Sequence, residues 1–583
     1  MIITAKDKIP IEEKFRVEAG PGAGKTEFLA NHIQNVVRNS NRLSRARKVA
    51  CITYTNAGVE TILKRLGNGC SQKVEVATIH SFLYRNIVKP YASFIPAEYG
   101  LNSRLLAGHD EITVSRKNIN AWLDNSCFND LKSPNKRDQI KKLDGQMDAL
   151  RNWLNSIQCI FDGSEILFKC EQRKSFVERD GERQYPIKKS NLKILSENLC
   201  KLKEIYWRAG RIDHNDVLFF SIILINKYPF ILETIRAKFP YIFLDEYQDT
   251  SPTQAYIVRR IKEKETVVGV IGDKVQSIYS FQGANPALFD EFEVEESNKY
   301  SIVENHRSSE EIVDLLNHLR TDIKQQPCNG KNGNKIRVLI GDSVSAYSEA
   351  RKLCGQEVQS LSRDNITSNA MKKAVESSQI ISEIKIKYEQ VDGNPDRRKF
   401  VLDVIRSIEL AQSGKFKEAI KYMEHALHVE TDSKKQALRQ ISRLMAKYPL
   451  YSNGKMLPFY ELIAPLAEKP IARVRAGRVK EFYETTDYKS MALCVNIPED
   501  TSDHITIHKA KGNQFDNVFV VGTDDIKQFL LKPDLTKEEH RVAYVAFSRA
   551  KDRLFIQFDP SNFSPKDEST LNENYDMIQI IRL

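Results

Sequence analysis

The hydrophobic positions of this chain fall into two blocks in which short apolar runs alternate with amphipathic stretches. In the first block the runs are RVEAG (16–20), KVACITYT (48–55), YIFLDE (241–246) and VVGVIGD (267–273). Between them, NAGVETILKRL and SPTQAYIVRRIKE carry apolar residues at helical spacing. Alternation of short strands and helices favours a parallel α/β sheet. We therefore predict a first α/β domain over 1–85 and 205–298.

The same alternation returns near residue 300, where YSIVENHRSS precedes the helical pattern EEIVDLLNHLR. It continues with KIRVLIG (335–341) and VQSLSR (358–363), breaks off, and resumes with HITIHKAKG (504–512) and EEHRVAYVAFSRA (538–550). This pattern predicts a second α/β domain over 299–365 and 501–583.

Two long intervals interrupt these blocks. Residues 86–204 are mostly polar and helix-prone and include the Lys-rich stretch KSPNKRDQIKK (132–142), whereas residues 366–500 follow a helical pattern. We predict that each interval is a mainly helical insertion, and that the first one is not part of a sheet.

Composition narrows the class of protein without deciding it. The 88 Lys and Arg residues exceed the 77 Asp and Glu residues and give a net charge of +11, which suits a polyanionic partner but also many enzymes without one. The nine cysteines are scattered and form no C-x-x-C pair, so neither a disulfide framework nor a metal cage is indicated. With no apolar leader and no long apolar run, we expect a soluble protein of the reducing cytoplasm.

The segment AGPGAGKT (19–26) lies between a predicted strand and a predicted helix. Backbone N–H groups and the positive end of the helix dipole point into such a loop and suit it to phosphate binding. Lys25 can reach the β- and γ-phosphates, and Thr26 can ligate Mg²⁺. Ala19 departs from the usual G-x-x-x-x-G-K-S/T pattern, and the alternative is a Gly-rich turn before an ordinary helix.

The acidic segment DEYQD (245–249) directly follows the apolar strand YIFL. The carboxyl end of a parallel strand lies at the same edge of the sheet as the phosphate loop. There Asp245 can hold the water shell of a metal ion, and Glu246 can polarise an attacking water. An acid pair exposed at a strand end is the alternative, and an upstream phosphate loop disfavours it.

Eight segments together resemble the motifs of UvrD/Rep-type superfamily 1 helicases, in the family's order. They are AGPGAGKT (19–26), ITYTNAG (52–58), ATIHSF (77–82), DEYQDT (245–250), GDKVQSIYSFQGA (272–284), ENHRSS (304–309), TIHKAKGNQFD (506–516) and YVAFSRAKDRL (544–554). The resemblance covers both α/β blocks and implies two RecA-like parallel-sheet domains, each with an insertion. It also implies an ATP- and Mg²⁺-dependent enzyme that acts on single-stranded or forked DNA and moves 3′ to 5′.

The resemblance further implies roles for individual residues. Gln276 would sense the γ-phosphate and link it to the DNA-binding loop. Arg307 and Arg549, both predicted in the second domain, would reach across a cleft as arginine fingers. The catalytic set is Lys25, Glu246, Gln276, Arg307 and Arg549, with Thr26 and Asp245 as the metal ligands. The nucleotide-binding set is Gly20, Pro21, Gly22, Ala23, Gly24, Lys25, Thr26, His306 and Gln514.

Tyr279 and Phe281 match positions at which this family stacks the bases of single-stranded DNA. Aromatic faces stack on any base, at roughly 1–3 kcal/mol each. Their alternation with Ser277, Ser280 and Gln282 is typical of an exposed loop, and packed core aromatics are the alternative. Matches to positions near the DNA backbone are Thr55, Asn56, His80 and His508, although a structural role remains open for both histidines.

Several positions depart from the family pattern. The 18 residues before Ala19 contain no Gln, where the family carries a Gln that reads adenine. His306 stands in place of a Tyr, Gln282 in place of an Arg, and Asn513–Gln514 in place of Leu–Glu. These departures predict relaxed base selectivity, so that other nucleoside triphosphates are hydrolysed beside ATP.

Two functions stay open at this point. The first is a DNA translocase that unwinds duplex DNA. The second is a regulatory ATPase in a complex such as the Gabija-like anti-phage systems, whose helicase subunit pairs with an OLD-family nuclease. Only 33 residues remain from Lys551 onward, too few for a fused nuclease domain, so we expect any cutting to come from another chain.

Overall fold

The protein is described from a computed structural model. The described residues are 1–67, 72–106, 108–109, 112, 114–125, 128, 136–142, 145–179, 182–328, 330–331, 333–355, 357–364, 367–368, 371, 388, 391–392, 394–412, 414–427, 433–467, 474, 477–495 and 503–583. Residues 132–135 of the Lys-rich stretch and residues 372–387 of the second predicted insertion lie outside them. The chain divides into two compact units, unit 1 with Met1–Lys331 and Pro533–Tyr544, and unit 2 with Asn332–Lys532 and Val545–Leu583.

Unit 1 is built on a parallel sheet of seven strands in the order β1-β11-β2-β10-β9-β3-β4. The strands of this unit are β1 Ile2–Ile3, β2 Phe15–Ala19, β3 Val49–Thr53, β4 Val74–Thr78, β5 Gln158–Phe161, β6 Ile166–Lys169, β7 Val177–Arg179, β8 Glu182–Gln184, β9 Tyr241–Leu244, β10 Val267–Gly272, β11 Lys299–Ile302, β12 Glu304–Asn305 and β13 Gln326–Pro327. The central strands β9 and β10 are buried along their whole length. A strand covered on both faces reads as a continuous apolar run, as YIFL and VVGVIG do.

One predicted boundary differs from the structure. The prediction put residues from 299 onward into the second domain, but β11 pairs in parallel with β2 in the first sheet, with Tyr300 opposite Val17. The apolar pattern of this segment predicts a strand correctly. The same pattern does not show which sheet the strand joins, because the partner of a parallel strand lies far away along the chain.

The helices of unit 1 pack on both faces of its sheet and form the insertion. They are α1 Lys25–Asn39, α2 Asn56–Leu66, α3 Ile79–Leu83, α4 Arg116–Leu123, α5 Lys136–Lys142, α6 Gln146–Leu154, α7 Lys189–Ser196, α8 Leu199–Trp207, α9 His214–Lys227, α10 Phe230–Lys238, α11 Pro252–Lys262, α12 Ala287–Asp290 and α13 Glu310–Leu319. The insertion is mainly helical, but it also contains the antiparallel hairpins β5–β6 and β7–β8, which the prediction of no sheet missed. Trp122 and Trp153 are buried in its core.

Unit 2 carries the second parallel sheet, of six strands in the order β16-β15-β17-β18-β14-β19. Its strands are β14 Ile336–Ile340, β15 Gln359–Ser362, β16 His504–Thr506, β17 Phe515–Val521, β18 Ala550–Phe558 and β19 Ile578–Arg582. The helices that follow α13 are α14 Ser343–Cys354, α15 Pro395–Gln412, α16 Phe416–Leu427, α17 Ser433–Ala446, α18 Tyr448–Tyr451, α19 Met456–Ile463, α20 Arg478–Thr485, α21 Tyr488–Val495, α22 Ile507–Ala510, α23 Asp524–Leu531, α24 Glu538–Phe547 and α25 Pro565–Asn574. Helices α15 to α21 share a hydrophobic core of their own.

Among the described residues, no single helix has the length and apolar composition needed to cross a membrane. The helices α9 and α10, which meet at a bend of 108°, satisfy that test only when taken together. Apolar side chains of both helices, such as Phe220 and Ile231, are buried in the core of unit 1.

Candidate active site

The predicted phosphate loop connects β2 to α1 at the carboxyl edge of the first sheet. Gly22 and Gly24 have positive φ values of 73° and 81°, which L side chains rarely adopt, so the turn requires glycine at both positions. Gly24 is also the N-cap of α1 and has no side chain to cap the helix. The first N–H groups of a helix of 15 residues therefore face the loop, which is the arrangement that binds phosphate.

The Lys25 ammonium is half-buried beneath this loop. Its Nζ donates to the carbonyl oxygens of Ala19 at 3.0 Å and Gly20 at 3.4 Å. Burial lowers the pKa of Lys25, while the nearby carboxylates of Glu246, Asp273 and Asp245 raise it. A lysine held at this point between carbonyls and carboxylates can exchange the carbonyl contacts for phosphate oxygens.

The acidic pair lies directly beyond β9. Asp245 is buried and accepts a hydrogen bond from the hydroxyl of Thr26, so the two predicted metal ligands are adjacent. Burial, followed by the neighbouring Glu246 carboxylate, raises the pKa of Asp245. A carboxylate beside a hydroxyl is a set of oxygen ligands that fits a hard divalent cation such as Mg²⁺. The positive charge of such a cation would favour the ionised form of the buried Asp245 carboxylate.

Glu246 has a left-handed backbone, with φ 54° and ψ 39°. Among the described residues it is the only non-glycine residue with a positive φ. Its carboxylate accepts a hydrogen bond from Nε2 of Gln248. Backbone strain of this kind persists where the surrounding structure demands it, and such positions cluster at active sites.

A chain of hydrogen bonds runs from Glu246 to the predicted sensor Gln276. Oε1 of Gln248 accepts from the backbone N–H of Asp273 at 3.0 Å. The Asp273 carboxylate in turn accepts from Nε2 of Gln276 at 2.6 Å. Gln248, Asp273 and Gln276 are all buried, so these bonds are shielded from water.

The segment 304–327 lies against the phosphate loop from the outside. The amides of Asn305 and Gln325 both donate to the carbonyl of Pro21 at 3.0 Å, and both side chains are buried. The backbone N–H of His306 donates to the carbonyl of Gly22 at 3.1 Å. His306, which the resemblance placed in the nucleotide-binding set, thus adjoins the loop, with its ring Nε2 3.0 Å from a carboxylate oxygen of Glu304.

Arg307 was predicted to act from the second domain, and this expectation is wrong. Arg307 belongs to unit 1, the unit of the phosphate loop, and a Cβ built on Gly22 would lie 2.7 Å from the Cβ of Arg307. Its charge also acts on Lys25 and lowers the pKa of that residue. The reason is the pairing of β11 with β2, which brings the following segment to the same edge of the first sheet.

The predicted base-stacking residues form a surface platform in unit 1. Tyr279 lies on the ring of Tyr54, with centroids 5.0 Å apart and planes 21° apart, and Phe281 meets Tyr279 at 6.0 Å. Phe281 is 50% exposed, which disfavours the alternative of a packed core aromatic. Tyr54, whose hydroxyl donates to Gln282, is a member that sequence reasoning missed. The signal for it was its position directly before Thr55 and Asn56.

The remaining predicted contacts of unit 1 have local structural roles as well. Oγ1 of Thr55 caps α2 by accepting from the N–H of Gly58 at 3.1 Å, and Asn56 is the first residue of that helix. His80 stacks on His214, with ring centroids 4.6 Å apart. Burial, with His214 and His109 nearby, lowers the pKa of His80 to about 3, so its ring is neutral.

In unit 2, Arg549 ends the loop between α24 and β18 and is 2% exposed. Its guanidinium donates to the carbonyl of Val545 at 3.0 Å, to that of Asn513 at 3.3 Å and to Oγ of Ser548 at 2.8 Å. His508 lies in the short helix α22, and Gln514 precedes β17. The structure thus brings Arg549 next to the segment that carries Gln514.

Three strand ends of one parallel sheet therefore carry a phosphate loop, an acid pair and a buried glutamine network, and this arrangement defines a nucleoside triphosphatase of the P-loop class. Residues 5–297 match the UvrD/REP helicase N-terminal domain, and residues 455–560 match the UvrD-like helicase C-terminal domain. The chain belongs to the UvrD/REP helicase family and is an ATP-dependent enzyme of the helicase class.

Individual relatives agree with this assignment. The chain is 22% identical to the ATP-dependent DNA helicase PcrA of Leuconostoc citreum, across 93% of this chain and 79% of that protein. It is 23% identical to the ATP-dependent DNA helicase Rep of Buchnera aphidicola subsp. Acyrthosiphon pisum, across 93% and 92% of the two chains. The Gabija protein GajB of Bacillus cereus is 23% identical across 53% of this chain and 47% of that protein.

Proposed function

We propose that this chain hydrolyses ATP on single-stranded DNA and uses the cycle to move along the strand in the 3′ to 5′ direction. The observation that carries the proposal is the continuity of the segment 272–284. Its first part holds Asp273 and Gln276 in the hydrogen-bond chain from Glu246, and its second part carries the half-buried Tyr279 and the exposed Phe281. A change at the nucleotide therefore has a short covalent path to the aromatic platform.

In this proposal the residues of unit 1 have separate tasks. The N–H groups of the loop 20–24, with Lys25 and Arg307, bind the triphosphate. Thr26 and Asp245 hold Mg²⁺, which when bound supplies positive charge against the phosphate oxygens. Glu246 accepts a proton from the attacking water, and Gln276 reports the state of the site to the platform.

Strand release from forked DNA tests the proposal directly. A fork with a 3′ single-stranded tail should be unwound with ATP, whereas a fork with a 5′ tail should stay intact. DNA-stimulated ATP turnover is measured on the same two substrates, and Glu246→Gln serves as the inactive control. Unwinding from the 5′ tail would contradict the direction, and turnover that ignores DNA would contradict the mechanism.

The similarity to the Gabija protein GajB favours a second candidate, a DNA-stimulated regulatory ATPase that acts in an anti-phage complex with a separate nuclease. The same fork assay separates the two, because this candidate predicts DNA-stimulated turnover without strand release. Co-purification from the native host would then show whether a nuclease of the OLD type accompanies the chain.

A further inference from the structure

Arg320 is a buried arginine that the proposed mechanism does not use. It follows α13 directly and is 1% exposed. Its NH1 donates to both carboxylate oxygens of Asp273, at 2.8 and 3.0 Å, and its Nε donates to Asp322 at 2.6 Å. Its NH2 also lies 3.6 Å from Oε1 of Glu18, the residue before the phosphate loop. One guanidinium thus gathers three carboxylates behind the nucleotide site.

Asp273 connects this arginine to Gln276. A carboxylate only accepts hydrogen bonds, so the amide of Gln276 must present its Nε2 donor to Asp273. This contact fixes the orientation of the Gln276 amide, so that its acceptor Oε1 faces away from Asp273. The amide keeps this orientation only while the Asp273 carboxylate is held in place.

The position of the Asp273 carboxylate depends on Arg320. Glu18 and Asp273 come from the ends of the paired strands β2 and β10, and both carboxylates are largely removed from water. Burial and the Asp273 charge raise the pKa of Glu18, and Arg320 opposes this shift. Without the guanidinium, these two carboxylates would have no cation between them, and the Asp273 carboxylate would lose the partner that holds it beside Gln276.

We propose that Arg320 is a positioning residue that, through Asp273, fixes the amide of Gln276 in the orientation needed to couple DNA binding to ATP turnover. This inference rests on the role of Gln276 in the proposed function. It assigns Arg320 no contact with the nucleotide.

A double-mutant cycle tests the inference. In Arg320→Met, the maximal rate at saturating single-stranded DNA should fall by roughly tenfold to a hundredfold, the usual loss when a partner that orients a functional group is removed. The KM for ATP, the basal rate without DNA and the affinity for DNA should stay within about threefold. Gln276→Ala should cause the same loss, and the double variant should lose no more than either single variant.

Arg236→Met is the matched control, because Arg236 is also a buried arginine of unit 1, but its Nε donates to the carbonyl of Ile261 away from this network. This variant should lower the thermal stability and leave the ratio of DNA-stimulated to basal turnover unchanged. If Arg320→Met does not fold, Asp273→Asn answers the same question, since it keeps the volume and removes the acceptor charge.

The outcomes separate this inference from the proposed function. Suppose that Gln276→Ala shows its expected defect. Normal DNA stimulation in Arg320→Met would then overturn the role of Arg320, and so would a double variant whose loss is the product of the two single losses. A wild-type chain without DNA stimulation, or a Gln276→Ala variant with full stimulation, would overturn both.

Discussion

The two neighbouring acids Asp245 and Glu246 differ in burial and in backbone conformation, and these differences set their chemical properties. Glu246 holds a left-handed backbone that costs about 1–3 kcal/mol in a non-glycine residue, and its carboxylate accepts a hydrogen bond from Gln248. Asp245, one residue earlier, is buried with a raised pKa and adjoins Thr26. Neighbouring carboxylates thus have different surroundings, which suits one to a metal ion and the other to a proton.

Glu246→Gln should abolish turnover while nucleotide binding persists. The amide keeps the shape of the side chain and loses its basicity, so the rate should fall on the order of 10²–10⁴-fold. DNA-stimulated phosphate release and binding of a fluorescent nucleotide measure the two effects. The control is Glu27→Gln, an exposed glutamate one residue beyond Thr26, which should behave as wild type. Turnover of Glu246→Gln within a few-fold of wild type would remove Glu246 from the proton-transfer step.

His32 gives a prediction for stability against pH. Its ring packs among Phe15, Phe28 and Phe243, and burial lowers its pKa to about 4. In the unfolded chain the imidazole of His32 has a pKa of about 6.5 and takes up a proton more readily than in the folded protein. The folded state therefore keeps its full stability above pH 6.5 and loses part of it as the pH falls toward 4. His32→Phe should therefore recover up to about 2 kcal/mol of the stability lost between pH 7 and 5. Thermal unfolding at the two pH values measures it, and an equal change at both would contradict the role of protonation.

At the scale of elements, the segment 272–284 is held from two directions. Its start is tied to Arg320 and Gln248, and its later part is tied to α24, where Nε of Arg541 donates to the carbonyl of Ser277 at 2.8 Å and Glu538 accepts from the N–H of Ser280 at 3.1 Å. Both residues of α24 belong to unit 1. A loop fixed at both ends presents its aromatic rings at low entropic cost, as a repeated grip on single-stranded DNA requires.

Replacing both Tyr279 and Phe281 by Ala should weaken binding of single-stranded DNA and its stimulation of turnover much more than the basal rate. The expected loss is roughly 1–3 kcal/mol for each base that is no longer stacked. Fluorescence anisotropy over a salt series measures it, and the affinity should fall steeply with salt in all variants because phosphate contacts remain. Phe94→Ala, at an exposed aromatic of unit 1 outside this loop, is the control. Normal DNA binding by the double variant would mean that other residues stack the bases.

At the scale of the whole molecule, the proposed chemistry is divided between the two units. Unit 1 contains the phosphate loop, the acid pair, Gln276 and Arg307, whereas unit 2 contains Arg549. Helix α24 includes residues of both units, since Tyr544 is grouped with unit 1 and Val545 with unit 2. The predicted arginine finger Arg549 and the phosphate loop therefore belong to different compact units.

Arg549→Ala should lower the maximal rate of ATP turnover by orders of magnitude and change the KM for ATP much less, because an arginine finger acts on transition-state charge. Its buried contacts with Val545 and Asn513 also stabilise unit 2, so Arg549→Lys is measured beside it to retain the charge. Arg553→Ala, which removes a contact to the carbonyl of Leu353 in the same unit, is the control. An unchanged maximal rate in Arg549→Ala would exclude Arg549 from the site.

The sequence by itself determined the two parallel sheets, the strand–loop–helix around Lys25 and the acids after β9, because each of these is encoded in a local run of apolar or glycine residues. It also identified the family, whose motifs are local as well. Only the tertiary structure decided that β11 and Arg307 belong to the first unit, that Asn305 and Gln325 hold the phosphate loop, and that Tyr54 lies under Tyr279. The physical reason is distance along the chain. Arg320 and Asp273 are 47 residues apart, and no local pattern states which buried charges will meet when the strands pair.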